Sequence, residues 1–161
     1  MGIFSKLFSK PLDEISAPVA GEVVPVADVN DPTFSEEMLG KGIAIRPSEG
    51  KVVAPCDASV DMMFDTGHAV SLVADNGAEI LIHIGLDTVN LKGKHYTVHA
   101  KTGDKVKKGD LLIEFDAAAI AAEGYDTITP VVICNSADYK TVETLTGKTV
   151  AAGDPVIRLS K

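Results

Sequence analysis

The chain has 161 residues, 45% of them hydrophobic, which is enough for one ordinary domain with its own core. Its 23 acidic against 15 basic residues give a net charge of −8, which disfavours nucleic acid as a ligand and favours a basic protein surface as partner. No apolar run approaches the roughly 18 residues of a membrane span and no secretory signal with a small-residue cleavage site is visible, so the expected location is the cytoplasm.

Residues 1–14 read as an N-terminal tail. Ile3, Phe4, Leu7 and Phe8 fall at helical spacing, with Lys6 and Lys10 beside them and Pro11 as a stop. So short a segment with two lysines is expected to fray in water, with only weak membrane contact by residues 1–10. Lys6 stands where a myristoylation signal needs Ser or Thr. Residues 15–161 form one domain of short strands punctuated by Gly, Pro and Asp, an all-β reading. Two echoes mark internal repetition. Ala17-Pro18-Val19-Ala20-Gly21-Glu22-Val23 recurs as Ala54-Pro55-Cys56-Asp57-Ala58-Ser59-Val60, and Gly103-Asp104-Lys105-Val106-Lys107-Lys108-Gly109-Asp110 as Gly147-Lys148-Thr149-Val150-Ala151-Ala152-Gly153-Asp154. Repeated strand–turn–strand units predict an antiparallel β-sandwich or flattened barrel with pseudo-symmetric halves. Asp116 before Ala117-Ala118-Ala119-Ile120 is a good N-cap and predicts one short helical turn. Cys56 and Cys134 have no CxxC or ligand spacing and read as free thiols in a reducing compartment.

The segment between His68 and His83 carries most of the functional information. Ala69–Val73 and Glu79–Ile84 are apolar runs separated by Ala74-Asp75-Asn76-Gly77-Ala78, whose Asn-Gly predicts a tight hairpin. A two-residue loop would set His83 opposite Val70, with His68 its diagonal neighbour; a four-residue loop would set His68 opposite His83. Either register puts both imidazoles on one face. His95 and His99 also share a face by strand parity, but their polar, Lys-rich surroundings indicate a solvated edge.

Each neutral imidazole offers one donor and one acceptor nitrogen, and two adjacent imidazolium ions would repel. A neighbouring pair therefore suits phosphoryl transfer through a phosphohistidine, one ring attacking while the other donates to the equatorial oxygens. It suits equally well half of a tetrahedral zinc site that needs further ligands. The bland alternative, two satisfied histidines in a sheet, weakens when both lie on one face beside a turn.

The run Gly77-Ala78-Glu79-Ile80-Leu81-Ile82-His83-Ile84-Gly85-Leu86-Asp87-Thr88-Val89-Asn90-Leu91-Lys92-Gly93 resembles the signature of glucose-type enzyme IIA of the bacterial sugar phosphotransferase system. The resemblance extends through Phe64-Asp65-Thr66-Gly67-His68-Ala69, Asp31-Pro32-Thr33-Phe34-Ser35, Gly40-Lys41-Gly42-Ile43-Ala44-Ile45-Arg46-Pro47 and Leu145-Thr146-Gly147. It implies a β-sandwich phosphotransferase component that accepts a phosphoryl group from the phosphocarrier HPr and passes it to a cysteine of a IIB domain. By position, His83 is the nucleophile acting through Nε2, and His68 is needed for onward transfer. Thr66 bonds the far nitrogen of His68, and the backbone carbonyl of Gly85 bonds Nδ1 of His83. Asp87 and Asp31 match acidic positions that engage cationic groups on partners. Phe34, Leu39, Phe64, Leu81 and Val89 fall on an apolar docking collar, where Leu81 replaces a frequent aromatic. The resemblance also implies regulatory binding to permeases or metabolic enzymes in the unphosphorylated state. No cofactor is required, although His68 and His83 are placed to share a zinc ion with a carboxylate from a partner.

Two other classes compete. A lysostaphin-type zinc peptidase needs an H-x-H pair, whereas Ile84-Gly85 follows His83. A biotinyl or lipoyl carrier, suggested by Val106-Lys107-Lys108-Gly109-Asp110-Leu111 and Asp138-Tyr139-Lys140, lacks its modified lysine in a Met-Lys-Met or Asp-Lys-Ala setting.

Overall fold

A computed structural model describes residues 13–161 of the chain. Of the tail expected over residues 1–14, residues 1–12 lie outside the described residues, while Asp13 and Glu14 belong to the first strand. The strands are β1 (Asp13–Ser16), β2 (Gly21–Pro25), β3 (Lys41–Pro47), β4 (Lys51–Val53), β5 (Ala58–Met63), β6 (Ala69–Ala74), β7 (Glu79–His83), β8 (Tyr96–Val98), β9 (Lys105–Val106), β10 (Leu111–Phe115), β11 (Thr129–Ile133), β12 (Thr141–Thr144), β13 (Lys148–Val150) and β14 (Pro155–Ser160). An eight-stranded sheet runs β13-β2-β3-β11-β7-β6-β5-β9, and two three-stranded sheets run β1-β14-β12 and β4-β10-β8. Every pairing is antiparallel, so the molecule is the all-β sandwich the sequence predicts.

Alternation along the strands of the large sheet divides their apolar residues between two cores. Val23, Ile43, Val70, Leu72, Ile80, Ile82 and Val131 point into the main core, which they share with Ile113, Ile157 and Leu159 of the small sheets. The opposite face would be wetted were it not covered. Val24, Ala44 and Val132 there pack with Val26, Val29, Phe34, Leu86 and Ile128 into a second, smaller core. The cover includes a one-turn helix, Pro32–Ser35, started by Asp31, whose carboxylate accepts from the Thr33 N–H at 3.0 Å.

The repeats become matching hydrogen-bonded corners. Ala17 N–H donates to the Asp154 carbonyl (2.7 Å) and the Ala17 carbonyl accepts from Gly153 (3.0 Å); Ala54 makes the same exchange with Asp110 (2.8 Å) and Gly109 (2.9 Å). In each turn the aspartate carboxylate accepts from the N–H three residues earlier, Asp110 from Lys107 and Asp154 from Ala151. β13 beside β2 and β9 beside β5 then close the two ends of the large sheet in the same way. The predicted helical turn is Ala117–Ala122, with the Asp116 carboxylate accepting from Ala119 N–H at 3.0 Å.

The β6–β7 hairpin departs from both expected registers. Ala74 N–H donates to the Ala78 carbonyl and Gly77 N–H to the Ala74 carbonyl, both at 2.8 Å, so the loop is the three residues Asp75-Asn76-Gly77. Gly77 takes φ +94°, and the Asn76 side chain accepts from Ala78 N–H. A left-handed glycine after a tight turn adds one residue to the loop, and Ala69, not Val70 or His68, faces His83.

Candidate functional site

In the observed register strict alternation would send His68 and His83 to opposite faces, so the parity argument for their pairing fails. The rings nevertheless meet, with centroids 5.2 Å apart and planes at 78°. β6 begins only at Ala69. The turn before it, closed by Gly67 N–H to the Phe64 carbonyl at 2.8 Å, holds Gly67 at φ +71° and releases His68 from the pleat. A Cβ at Gly67 would come within 2.9 Å of Tyr96 Cβ and 3.1 Å of Val98 Cγ2, so the wall behind this turn admits only glycine.

His83 ends β7, and the chain turns sharply after it. Its Nδ1 donates to the Gly85 carbonyl at 2.7 Å. A carbonyl only accepts, so the proton resides on Nδ1 and the Nε2 lone pair is free. Gly85 reaches this position at φ +86°, where a Cβ would lie 2.6 Å from Thr88 Cγ2 and 3.0 Å from the Asp126 carbonyl oxygen. On the other ring, Nδ1 of His68 is bonded to the Thr66 hydroxyl. The turn is fixed further by Thr88 Oγ1 and Tyr96 OH, both donating to the Ile84 carbonyl at 2.8 and 2.7 Å. Backbone bonds from Gly85 to Ile128 (3.1 Å) and from Leu86 to Asp126 (2.9 Å) complete it.

Burial, reinforced by the neighbouring His83, lowers the His68 pKa from its ordinary 6.5 to about 4. Burial lowers that of His83 as well, opposed by the Gly85 carbonyl and the negative charges of Asp31 and Asp87. Both rings are therefore neutral at pH 7, as nucleophile and hydrogen-bond donor must be.

Around the rings stands an apolar surround. The Phe34 ring lies 5.2 Å from His83 and the Phe64 ring 5.2 Å from His68. Phe34 is 2% exposed, so it supports His83 from beneath and is not part of the open collar expected for it. Leu81, on the His83 face, is half-buried against the smaller core. Phe64, set against His68, is exposed, and so are Val89 (50% exposed), Leu39 and the unanticipated Met38. Asp31 doubles as helix cap, and Asp87 sits at φ +59° at the start of the turn Thr88–Leu91. His95 and His99 flank the edge strand β8 and do not meet: His95 bonds Glu123, and His99 bonds Glu114 at 2.7 Å. No group of three or more His, Cys, Asp or Glu able to hold a metal occurs among the described residues, so among these His68 and His83 have no third ligand.

Thr88 and Tyr96 were not singled out from sequence. Thr88 lies four residues after Ile84, the spacing at which a hydroxyl reaches back to a carbonyl; the contact of Tyr96 depends on long-range packing.

Residues 13–139 match the family described as phosphoenolpyruvate-dependent sugar phosphotransferase system, EIIA 1. The chain is 48% identical over 147 residues to the PTS system beta-glucoside-specific EIIBCA component of Dickeya chrysanthemi, covering 91% of this chain and 23% of that protein. It is 45% identical over 140 residues to the PTS system glucose-specific EIIA component of Oceanobacillus iheyensis, covering 87% of this chain and 85% of that one. The chain thus spans about a quarter of the first relative's length and most of the second's. Among solved structures, glucose permease IIA from Mycoplasma capricolum superposes with a TM-score of 0.85 at 32% identity, covering 94% of this chain and 97% of that chain.

Proposed function

Because the chain belongs to the EIIA 1 family of the phosphoenolpyruvate-dependent sugar phosphotransferase system, we propose that it relays a phosphoryl group from HPr to a IIB domain through Nε2 of His83. The observation that carries this reading is the bond from His83 Nδ1 to the Gly85 carbonyl, which leaves Nε2 as the unprotonated nitrogen beside a second imidazole. The Nε2 lone pair attacks phosphorus, forming an N–P bond as the donor's N–P bond breaks, and no proton need leave His83. The ring then gains positive character, and the Gly85 carbonyl stabilises it through Nδ1–H. With the Thr66 hydroxyl donating to its Nδ1, His68 carries a proton on Nε2 and donates to an equatorial phosphoryl oxygen. A positioned donor of this kind contributes on the order of 10²–10³ in rate, a contribution we assign to the onward step. In the second half-reaction a cysteine thiolate of the IIB domain attacks phosphorus and the lone pair returns to Nε2.

Partner recognition follows from the surround. Val89, Leu39 and Phe64 offer exposed apolar contact, while Asp31 and Asp87 supply negative charge for a basic partner surface. A zinc ion would find two imidazole nitrogens here and would need a carboxylate from the partner and a fourth ligand such as water to complete tetrahedral coordination. Calorimetric titration of zinc with and without a regulatory partner tests that role; heat of binding by the isolated chain would contradict the need for a partner. Family membership leaves the zinc-peptidase and biotinyl or lipoyl carrier alternatives without support.

The proposal is tested by adding the chain to membranes that carry a sugar transporter with IIB and IIC domains but no IIA. With phosphorylated HPr present, sugar phosphorylation should depend on the added chain; absence of any dependence across several such transporters would contradict the onward step.

A further inference from the structure

The hydroxyls of Thr88 and Tyr96 converge on one acceptor, the Ile84 carbonyl, next to the peptide that orients His83. We infer that Thr88 and Tyr96 are positioning residues for the phosphoacceptor, clamping the Ile84–Gly85 peptide so that the following Gly85 carbonyl stays on Nδ1 of His83. The inference rests on the relay reading and adds to it a device for keeping the nucleophile's tautomer.

Two successive peptide planes meet at Gly85. The first carries the Ile84 carbonyl, held by the two hydroxyls, and the Gly85 N–H, held by Ile128 at 3.1 Å. The second carries the Gly85 carbonyl, which accepts from His83, and the Leu86 N–H, which donates to Asp126 at 2.9 Å. Glycine is the residue about which a peptide plane turns most readily, because its φ and ψ are least restricted. With the first plane loosened, Gly85 φ is free to move from +86°, and the second carbonyl swings away from the imidazole. Nδ1–H then has no fixed acceptor, and the ring is free to place its proton on Nε2, the tautomer that cannot attack.

The clamp also reaches the second histidine. The Tyr96 ring stacks on Phe115, and its Cβ packs against Gly67, behind the turn that presents His68. Thr88 is fully buried, so its hydroxyl has no water to replace the Ile84 carbonyl.

The test uses Thr88→Val, which keeps the shape and loses the hydroxyl, Tyr96→Phe, which keeps the ring, the double variant, and Thr88→Ser as the rescue. Two readouts are followed: the nitrogen-15 chemical shifts of the His83 ring, which report the tautomer without any phosphotransfer, and single-turnover acceptance from phosphorylated HPr. We expect the double variant to show a mixed His83 tautomer and a roughly tenfold lower rate at saturating HPr, with half-saturation unchanged. Each single variant should fall between, and Thr88→Ser should match the wild type. A double variant that keeps the Nδ1–H tautomer and the wild-type rate would overturn the inference while leaving the relay reading intact. Should wild type fail to accept phosphate, the relay reading falls and the tautomer signals alone decide the clamp. Tyr96→Phe retains the packing of the ring, so it keeps the question open to measurement if Thr88→Val lowers the melting temperature.

Discussion

The Nδ1 nitrogen of His83 and the carbonyl of Gly85 lie 2.7 Å apart, two residues along the chain, and this bond selects which imidazole nitrogen is chemically available. It depends on a left-handed glycine at a place where no side chain fits.

Gly85→Ala should therefore remove both fold and function locally. A methyl group 2.6 Å from Thr88 Cγ2, on a residue forced to φ +86°, is expected to cost about 1–3 kcal/mol of stability. Acceptance of phosphate should fall at least tenfold as the carbonyl leaves His83. Urea unfolding together with a phosphorylation time course checks both; a variant with unaltered stability and rate would contradict the geometry.

The lowered pKa values predict an unusual acid profile. Because burial lowers the His83 pKa below its ordinary 6.5 and that of His68 to about 4, acceptance should begin to fall on acidification only at a lower pH than a solvent-exposed histidine would titrate, which a pH–rate profile measures. Stability follows the same linkage. Between pH 6.5 and 4 the unfolded chain binds more protons at position 68 than the folded one, so this contribution is complete above about 6.5 and is lost as pH falls through about 4. Thermal melting across that range should show the wild type losing ground relative to His68→Gln on acidification. A relative gain would refute the assignment of buried neutral rings.

His68→Gln should separate the two half-reactions. Acceptance is expected to persist because His83 and its Gly85 bond are untouched, whereas transfer to a IIB cysteine should drop by about 10²-fold or more as the imidazole N–H fixed by Thr66 gives way to an amide on a longer, unfixed side chain. Chase of the labelled variant with IIB and sugar measures this; normal sugar phosphorylation would reject the division of labour.

Asp87→Asn and Asp31→Asn test the charged rim. Each should slow association with a basic partner a few-fold at low salt, and the difference should shrink as salt rises. Stopped-flow binding of HPr is the measurement. Because Asp31 also caps the helix beneath His83, Asp31→Asn retains a capping side chain and isolates the charge.

Much of this was readable before any coordinates. The echo around Ala17 and Ala54 became two equivalent corners, because Gly-Asp turns specify their own hydrogen bonds. Asp116 capped its helix for the same local reason. The hairpin was legible in its existence and not in its register, since Asp75-Asn76-Gly77 supports loops of different length and the choice rests on how Gly77 is accommodated. That one-residue difference reversed the parity expected for His68, and only the irregular turn at Gly67 restored the encounter with His83. Phe34 was legible as a neighbour of the site but not as a buried one, because its cover over the large sheet depends on contacts distant in sequence.

The central claim is that His83 Nε2 is the phosphorylated atom, and incubation with labelled phospho-HPr tests it most directly. Wild type should take up label to about one phosphoryl group per chain, acid-labile as a phosphohistidine, and His83→Ala should take up none. Label retained by His83→Ala, at His68 or elsewhere, would contradict the account.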